Sequence, residues 1–233
     1  DINARMFDTR EPGQFLQGDD IRDRNENGII DAGDRIRSRP DVIVTGLWGG
    51  DFLAFLAQAH SSELLGKMPM ANFDAGGNYD VLMALGDQAP PNLVLSARHH
   101  NNWPDTPRNR KFMADFFAAE GRYPTYAAEG AYAGILAIAR AVGKAGKPFD
   151  VEKVVGALEG LCLELPEDPP GFASCIDRET HQIAQAQAIG EVVVDTRFPP
   201  ARVMLGKWRV YPAEQLRPSP KLVRERRRAA GAP

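Results

Sequence analysis

The chain has 233 residues, of which 43% are hydrophobic and 25% charged, and its formal net charge at pH 7 is -3. These values suit a globular protein of one large domain or two small ones, and they exclude nucleic acid or an anionic membrane as a partner recognised through bulk charge. No uninterrupted apolar run nears the roughly 20 residues of a spanning helix, and the opening DINARMFDTR lacks the basic and apolar regions of a leader, so the expectation is a soluble mature chain, compatible with a leader already removed.

Residues 1–40 are polar and glycine-punctuated, without a helix or strand period. Within them Asp23, Asn25, Asn27, Asp31 and Asp34 place oxygen side chains at positions 1, 3, 5, 9 and 12 of a loop, with Gly28 at 6 and the Ile29 carbonyl at 7. That is the spacing of a calcium loop, in which a hard cation gathers oxygens while glycine permits the sharp turn. The expected cofactor is structural calcium, stapling an otherwise loose insertion. Asp34 stands where an EF-hand has a bidentate Glu, so the loop resembles dockerin-type repeats instead, although only one such loop is present. The alternative is a solvated Asp/Asn/Gly turn.

Residues 40–59, PDVIVTGLWGGDFLAFLAQA, carry the organising pattern. The run Val42, Ile43, Val44, Thr45 is apolar on both alternations, as in a strand of a parallel sheet; a Gly-Leu-Trp-Gly-Gly turn follows, then a helix period with Phe52, Leu53, Phe55 and Leu56. Ligands of such α/β sheets sit outside the carboxyl ends of the strands, which puts Leu47, Trp48, Gly49 and Gly50 at the mouth of a candidate site. Glycines admit close backbone approach and Trp48 can form a wall, or Trp48 can pack in the core.

Residues 70–78 repeat the arrangement: a short strand leads into Asn72, Phe73, Asp74 and the Gly76-Gly77 turn. Asp74 can receive a ligand ammonium through charge-assisted hydrogen bonds, or serve as a turn or cap residue. A short helix is expected over 79–85 and a third strand over 93–97. The polar and aromatic stretch 98–107 reads as a crossover, and the adjacent His99 and His100 have no third ligand at zinc spacing.

Helices follow at 110–120, with Phe112, Met113, Phe116 and Phe117 as a core stripe, at 125–145, rich in alanine, and at 150–159, opened by Asp150 as cap. Strands are expected at 161–165, 172–176, 184–189, 191–195 and 208–211. Cys162 and Cys175 can form a disulfide across a hairpin-like loop or remain two buried thiols; their spacing leaves both open. The basic tail, with Arg217, Lys221, Arg224, Arg226, Arg227 and Arg228, reads as a frayed, solvated end.

Taken together, PDVIVTGLWGGDFLAFLAQA, WPDTPRNRKFMADFFAAEGRYPTYAAEGAYAGI and DRETHQIAQ resemble the branched-chain-amino-acid type of periplasmic solute-binding protein, the receptor of ABC importers, over residues 40–211. The resemblance implies an α/β fold of type I, two α/β sandwich lobes joined by a hinge, with a periplasmic location, a small solute as ligand and a membrane ABC permease as partner. It implies that the turn Trp48-Gly49-Gly50 lines the cleft and that Asp74 receives an α-ammonium, with Asn72 and Phe73 beside it. On that pattern residues 1–97 are a second-lobe segment with the insertion at 23–34, residues 98–184 the helical part of the first lobe, and residues 185–233 the return to the hinge and second lobe with the basic tail.

The family pattern has a first-lobe half ahead of this stretch, so the expectation is a chain lacking the N-terminal part. Helices 110–120 and 125–145 then have an uncovered apolar face, favouring a homo-oligomer or a pairing with the absent fragment. No catalysis is expected: GxSxG, Walker, GxGxxG and HExxH signatures are absent. The alternatives are a thiol hydrolase using Cys162 or Cys175 with His181, or a ligand sensor on the same fold.

Overall fold

The computed structural model describes residues 5–7, 21–22, 35–36, 42–61, 65, 68–73, 76–86, 89–90, 92–146 and 150–231. The chain divides into two compact units, one of Asp1–Asn102 with Ala188–Arg209, the other of Trp103–Gln187 with Val210–Pro233.

The first unit is built on a mixed sheet. Its strands are β1 (Arg5–Phe7), β4 (Val42–Thr45), β5 (Met70–Asn72), β6 (Leu93–Ser96), β10 (Gln187–Val194) and β11 (Val203–Tyr211), hydrogen-bonded in that order. β4, β5 and β6 run parallel, with Ile43 opposite Met70 and Met70 opposite Leu93, while β1 and β10 join antiparallel at β4 and β6. Parallel neighbours need crossovers. Here α1 (Gly49–Ser61) follows β4 and α2 (Tyr79–Leu85) follows β5. Ile43, Phe52, Leu56, Met70, Leu82, Leu93, Leu95, Met204 and Leu205 are buried and form its core, each contributing about 1.5–3 kcal/mol. β4 was expected to be buried on both faces, but its burial alternates: Ile43 and Thr45 are fully buried, Val42 and Val44 only partly so.

A separate antiparallel pair, β2 (Ile21–Arg22) and β3 (Arg35–Ile36), sets Ile21 opposite Ile36.

Among the described residues the second unit holds five helices and a small sheet. In α3 (Pro107–Glu120) the Thr106 side chain accepts from Asn109 N and Pro107 occupies the first turn, where its missing N–H costs nothing. The helix therefore starts three residues before the expected Arg110. α4 (Tyr126–Ala145) and α5 (Val151–Leu158) are capped by Thr125 and Asp150. β7 (Cys162–Leu163), β8 (Ser174–Ile176) and β9 (Ile183–Ala184) pair antiparallel. Ala133 and Ala137 of α4 pack with Leu163 and Leu165, flanked by Leu136, Leu158 and Ile176.

The basic tail is not frayed. After α6 (Ala213–Leu216) it forms α7 (Pro220–Ala229), where Ser219 accepts from Leu222 N and Pro220 sits in the first turn. Arg226, Arg227 and Arg228 lie in its last turn, where cations oppose the negative end of the helix dipole, and Arg224 Nη1 donates to both oxygens of the Glu179 carboxylate, at 2.7 and 2.8 Å.

Candidate ligand-binding site

The carboxyl ends of β4 and β5 lie side by side, because Thr45 and Asn72 are opposite in the parallel register. Each strand leads into a glycine-containing turn and then a helix. Thr45 is buried, and its Oγ1 accepts from Leu47 N at 3.1 Å, which curls the first turn back on its own strand. Gly49 then enters α1 with φ of 56°, a left-handed conformation that side-chain-bearing residues seldom adopt.

Asn72 joins the two turns. Its side chain is only 2% exposed; Nδ2 donates to the Leu47 carbonyl at 2.6 Å, and Oδ1 accepts from Gly76 N at 2.9 Å. Sequence reasoning placed Asn72 among residues touching ligand, whereas its amide is engaged with backbone on both sides. Its demonstrable work is to hold the turns in register. One turn further on, Gly77 N donates to the Ser96 carbonyl at 3.0 Å, which fastens the second turn to the end of β6.

The two aromatic residues behave differently. Trp48 is 63% exposed and Phe73 68% exposed, so neither is core packing, and the reading of Trp48 as a core residue is set aside. Phe73 folds over Gly46: a Cβ on that glycine would lie 2.9 Å from Phe73 Cζ. Sequence reasoning missed Gly46; a lone glycine directly after a buried strand is the signal that could have found it. The result is two accessible aromatic side chains at adjacent strand ends. Such a pair can stack a planar or apolar ligand group, and the turns offer backbone polar groups beside it.

Asp74 lies outside the described residues, as do Asp23, Asn25, Asn27, Ile29, Asp31 and Asp34 of the candidate calcium loop. The β2–β3 pairing sets Arg22 opposite Arg35, the residues that flank the segment 23–34.

Elsewhere, Cys162 and Cys175 face each other across β7 and β8 and are joined as a disulfide, leaving no free cysteine. The thiol nucleophile of the hydrolase alternative therefore does not exist in this structure. His181, its intended base, sits exposed with Nε2 3.1 Å from Glu159 Oε1. His100 is buried with its ring 4.7 Å from that of Trp208 and Nε2 3.3 Å from the Ala188 carbonyl; burial lowers its pKa to about 3, so it is neutral. None of the described helices is long and apolar enough to cross a membrane.

A profile of the family described as periplasmic binding protein matches residues 33–197. No curated protein matches the chain. Among solved structures, a solute-binding protein of an ABC transporter from Rhodopseudomonas palustris BisB5, in complex with 3,4-dihydroxy benzoic acid, shares 23% identity at a TM-score of 0.63, covering 75% of this chain and 46% of that one. The leucine-, isoleucine-, valine-, threonine- and alanine-binding protein from Brucella ovis, in closed conformation, shares 17% identity at 0.65, covering 78% and 45%. A solute-binding protein from Rhodopseudomonas palustris HaA2, in complex with p-hydroxybenzoic acid, shares 21% at 0.62, covering 75% and 46%. These likenesses are of fold, and the chain spans less than half the length of each structure.

Proposed function

The chain belongs to the periplasmic binding protein family, and from that premise we propose that it is an extracytoplasmic solute receptor of an ABC importer, passing a small amphipathic ligand to a membrane permease. The family consists of binding proteins rather than enzymes. The observation that carries the reading is the paired exposure of Trp48 and Phe73 on turns that Asn72 locks together. Exposed aromatic walls on turns held in register favour binding because little backbone freedom is lost when the ligand arrives.

In this reading Trp48 and Phe73 supply the apolar walls, the Gly49 turn gives close backbone approach, and Asp74 receives a ligand ammonium. The ligand is an amino acid, an amide or an aromatic carboxylate; both amino acids and hydroxybenzoates occur in the names of the structural neighbours. Isothermal titration of the chain with branched-chain amino acids and with hydroxybenzoates tests this. Saturable heat with one class, lost in Asp74→Asn for an amino acid but retained for a benzoate, supports the assignment. No heat with any member of either class overturns it.

Calcium is proposed for the loop at 23–34. Its donor set is all oxygen, which suits a hard cation, and the residues that flank the segment, Arg22 and Arg35, are opposite each other in the β2–β3 pairing. Asp23, Asn25, Asn27, Asp31, Asp34 and the Ile29 carbonyl would hold the ion, whose contribution is to order the segment. A calcium-dependent rise in melting temperature that disappears in Asp23→Ala supports the site, and an equal rise in that variant removes it.

A further inference from the structure

Helix α4 carries an acidic side chain on its buried face, Glu129, and the loop between β7 and β8 carries another, Glu167; each residue is only 2% exposed. The two acids meet where α4 packs on this loop, Ala133 one turn beyond Glu129 lying in one buried cluster with Leu165 two residues before Glu167, and each carboxyl perturbs the other. An ionised carboxylate has no hydrogen to donate, so two carboxyl groups bond to one another only when one of them keeps a proton. The surrounding groups agree with this. The donor to Glu167 Oε1 is the neutral amide of Gln185, and Glu129 Oε1 and Glu167 Oε2 have no hydrogen-bond partner. Among the described residues no Lys, Arg or His forms an ion pair with either acid.

The neighbouring Asp168 is supplied differently. Its carboxylate accepts from Leu165 N at 2.7 Å, Ser174 N at 3.2 Å and Ser174 Oγ at 2.6 Å. Burial raises its pKa, and those three donors together with the charge of Arg108 on α3 oppose the rise. Any negative charge on Asp168 works against ionisation of the Glu129–Glu167 pair. The pair is thus faced by Asp168 from its own loop and by the neutral Gln185 from the segment after β9, while Arg108 of α3, whose charge acts on Asp168, ion-pairs with Glu164 of the same loop.

We propose that the proton shared by Glu129 and Glu167 is a pH-sensitive latch fastening the β7–β8 loop, residues 164–173, onto helix α4, and that alkaline conditions release the loop. The Cys162–Cys175 bond holds the base of the loop whatever the pH, so release opens its tip without separating the strands. The energetic direction follows from burial: two charges in contact away from water cannot both be accommodated, and the loop moves out to hydrate them.

Burial first, then the contact with Glu129, pushes the Glu167 carboxyl from 4.5 up to about 10, and burial raises Glu129 as well. Both folded values lie above the unfolded ones. The native chain therefore keeps a proton that the unfolded chain has lost, and stability falls as pH rises from 4.5 towards about 10. One retained proton corresponds to about a tenfold loss in the folding equilibrium constant per pH unit.

The test compares urea unfolding of the whole chain, of Glu167→Gln and of the double variant Glu129→Gln/Glu167→Gln between about pH 6 and about pH 9. The wild type should lose stability about tenfold per pH unit more steeply than the double variant. Amide protection factors in residues 164–173, taken against the intrinsic base-catalysed exchange rate, should fall with pH in the wild type and stay level in the double variant. Equal slopes, or loop protection with the same pH response in both, overturn the proposal. If the variants do not fold, the infrared band of a protonated carboxyl in the native wild type above neutral pH decides: its presence supports the shared proton, and its absence removes it.

Discussion

Asn72 and Gly76 are fitted to one another: Asn72 Oδ1 accepts from Gly76 N at 2.9 Å, and a Cβ on Gly76 would stand 2.6 Å from Asn72 Cγ. The same amide reaches the Leu47 carbonyl, so one side chain sets the position of both strand-end turns. Asn72→Ala leaves two backbone groups without these partners and is expected to cost about 2–6 kcal/mol in urea unfolding, at about 1–3 kcal/mol for each unsatisfied group. Gly76→Ala should displace the amide and lower stability in the same direction. Ligand affinity should fall in both, since the turns that carry Trp48 and Phe73 lose their register.

Trp48→Ala separates binding from folding. The side chain is largely exposed and contributes little to the core, so stability should stay within about 0.5 kcal/mol of the wild type. Ligand affinity should drop by about tenfold or more, the loss typical of an aromatic anchor, with Trp48→Phe recovering part of it in calorimetric titration.

Asp177 gives an acid-side counterpart to the buried glutamate pair. Backbone N–H groups of Thr180 and Glu179 donate to its Oδ1 at 2.8 and 2.9 Å and hold its carboxyl below the ordinary value of 3.8. A depressed folded pKa contributes stability that is present above the unfolded value and lost as pH falls through the folded one. Asp177→Ala should therefore melt at a lower temperature at neutral pH, and the difference should shrink once the solution is acidified below 3.8. A gap that stays constant on acidification would assign the effect to packing instead.

Helix α4 presents its largest apolar side chains outward, with Ile135 70% exposed and Tyr132 and Ile138 beside it, while alanines occupy the packed side. Burying Ile135 between copies would contribute about 1.5–3 kcal/mol per side chain. The isolated chain is expected to self-associate at micromolar concentration in sedimentation, and Ile135→Glu/Ile138→Glu should be monomeric. A monomeric wild type would refute this.

The parallel strand, glycine turn and helix over 42–61 were legible because an apolar β-branched run, a glycine cluster and a helix period follow one another without overlap. The helix cap at Asp150 was legible because a polar residue stands directly before the period, whereas Thr125, the cap of α4, was counted into its helix. Two Pro signals were overlooked, Thr106-Pro107 and Ser219-Pro220, and each opens a helix where a loop or frayed tail was expected. The last two long strands were read too short. Gly190 lies within β10, and Gly206 and Lys207 lie within β11, Lys207 with φ of 51°. A Cβ on Gly190 would meet the Gly206 carbonyl at 2.9 Å, so these glycines mark a close strand approach that period counting takes for a break. At the site, sequence indicated Trp48 and Phe73 by position, but the cross-turn role of Asn72 depends on the register of β4 with β5, which no local pattern encodes.

The discontinuity of the first unit has a consequence for how the chain acquires its structure during synthesis. Ser96 on β6 pairs with Ile189 on β10, and the larger segment of the second unit, Trp103–Gln187, is made between those two residues. Strands β4 to β6 therefore leave the ribosome with one long edge bare, and they wait for β10 while α3, α4, α5 and the Cys162–Cys175 hairpin emerge and can assemble on local contacts. Closing so long a loop is entropically slow compared with forming those helices. The candidate site, at the ends of β4 and β5, lies in the unit whose sheet is completed last, and the unpaired edge of β6 is the surface on which a nascent chain would be captured by another strand or protected by a chaperone.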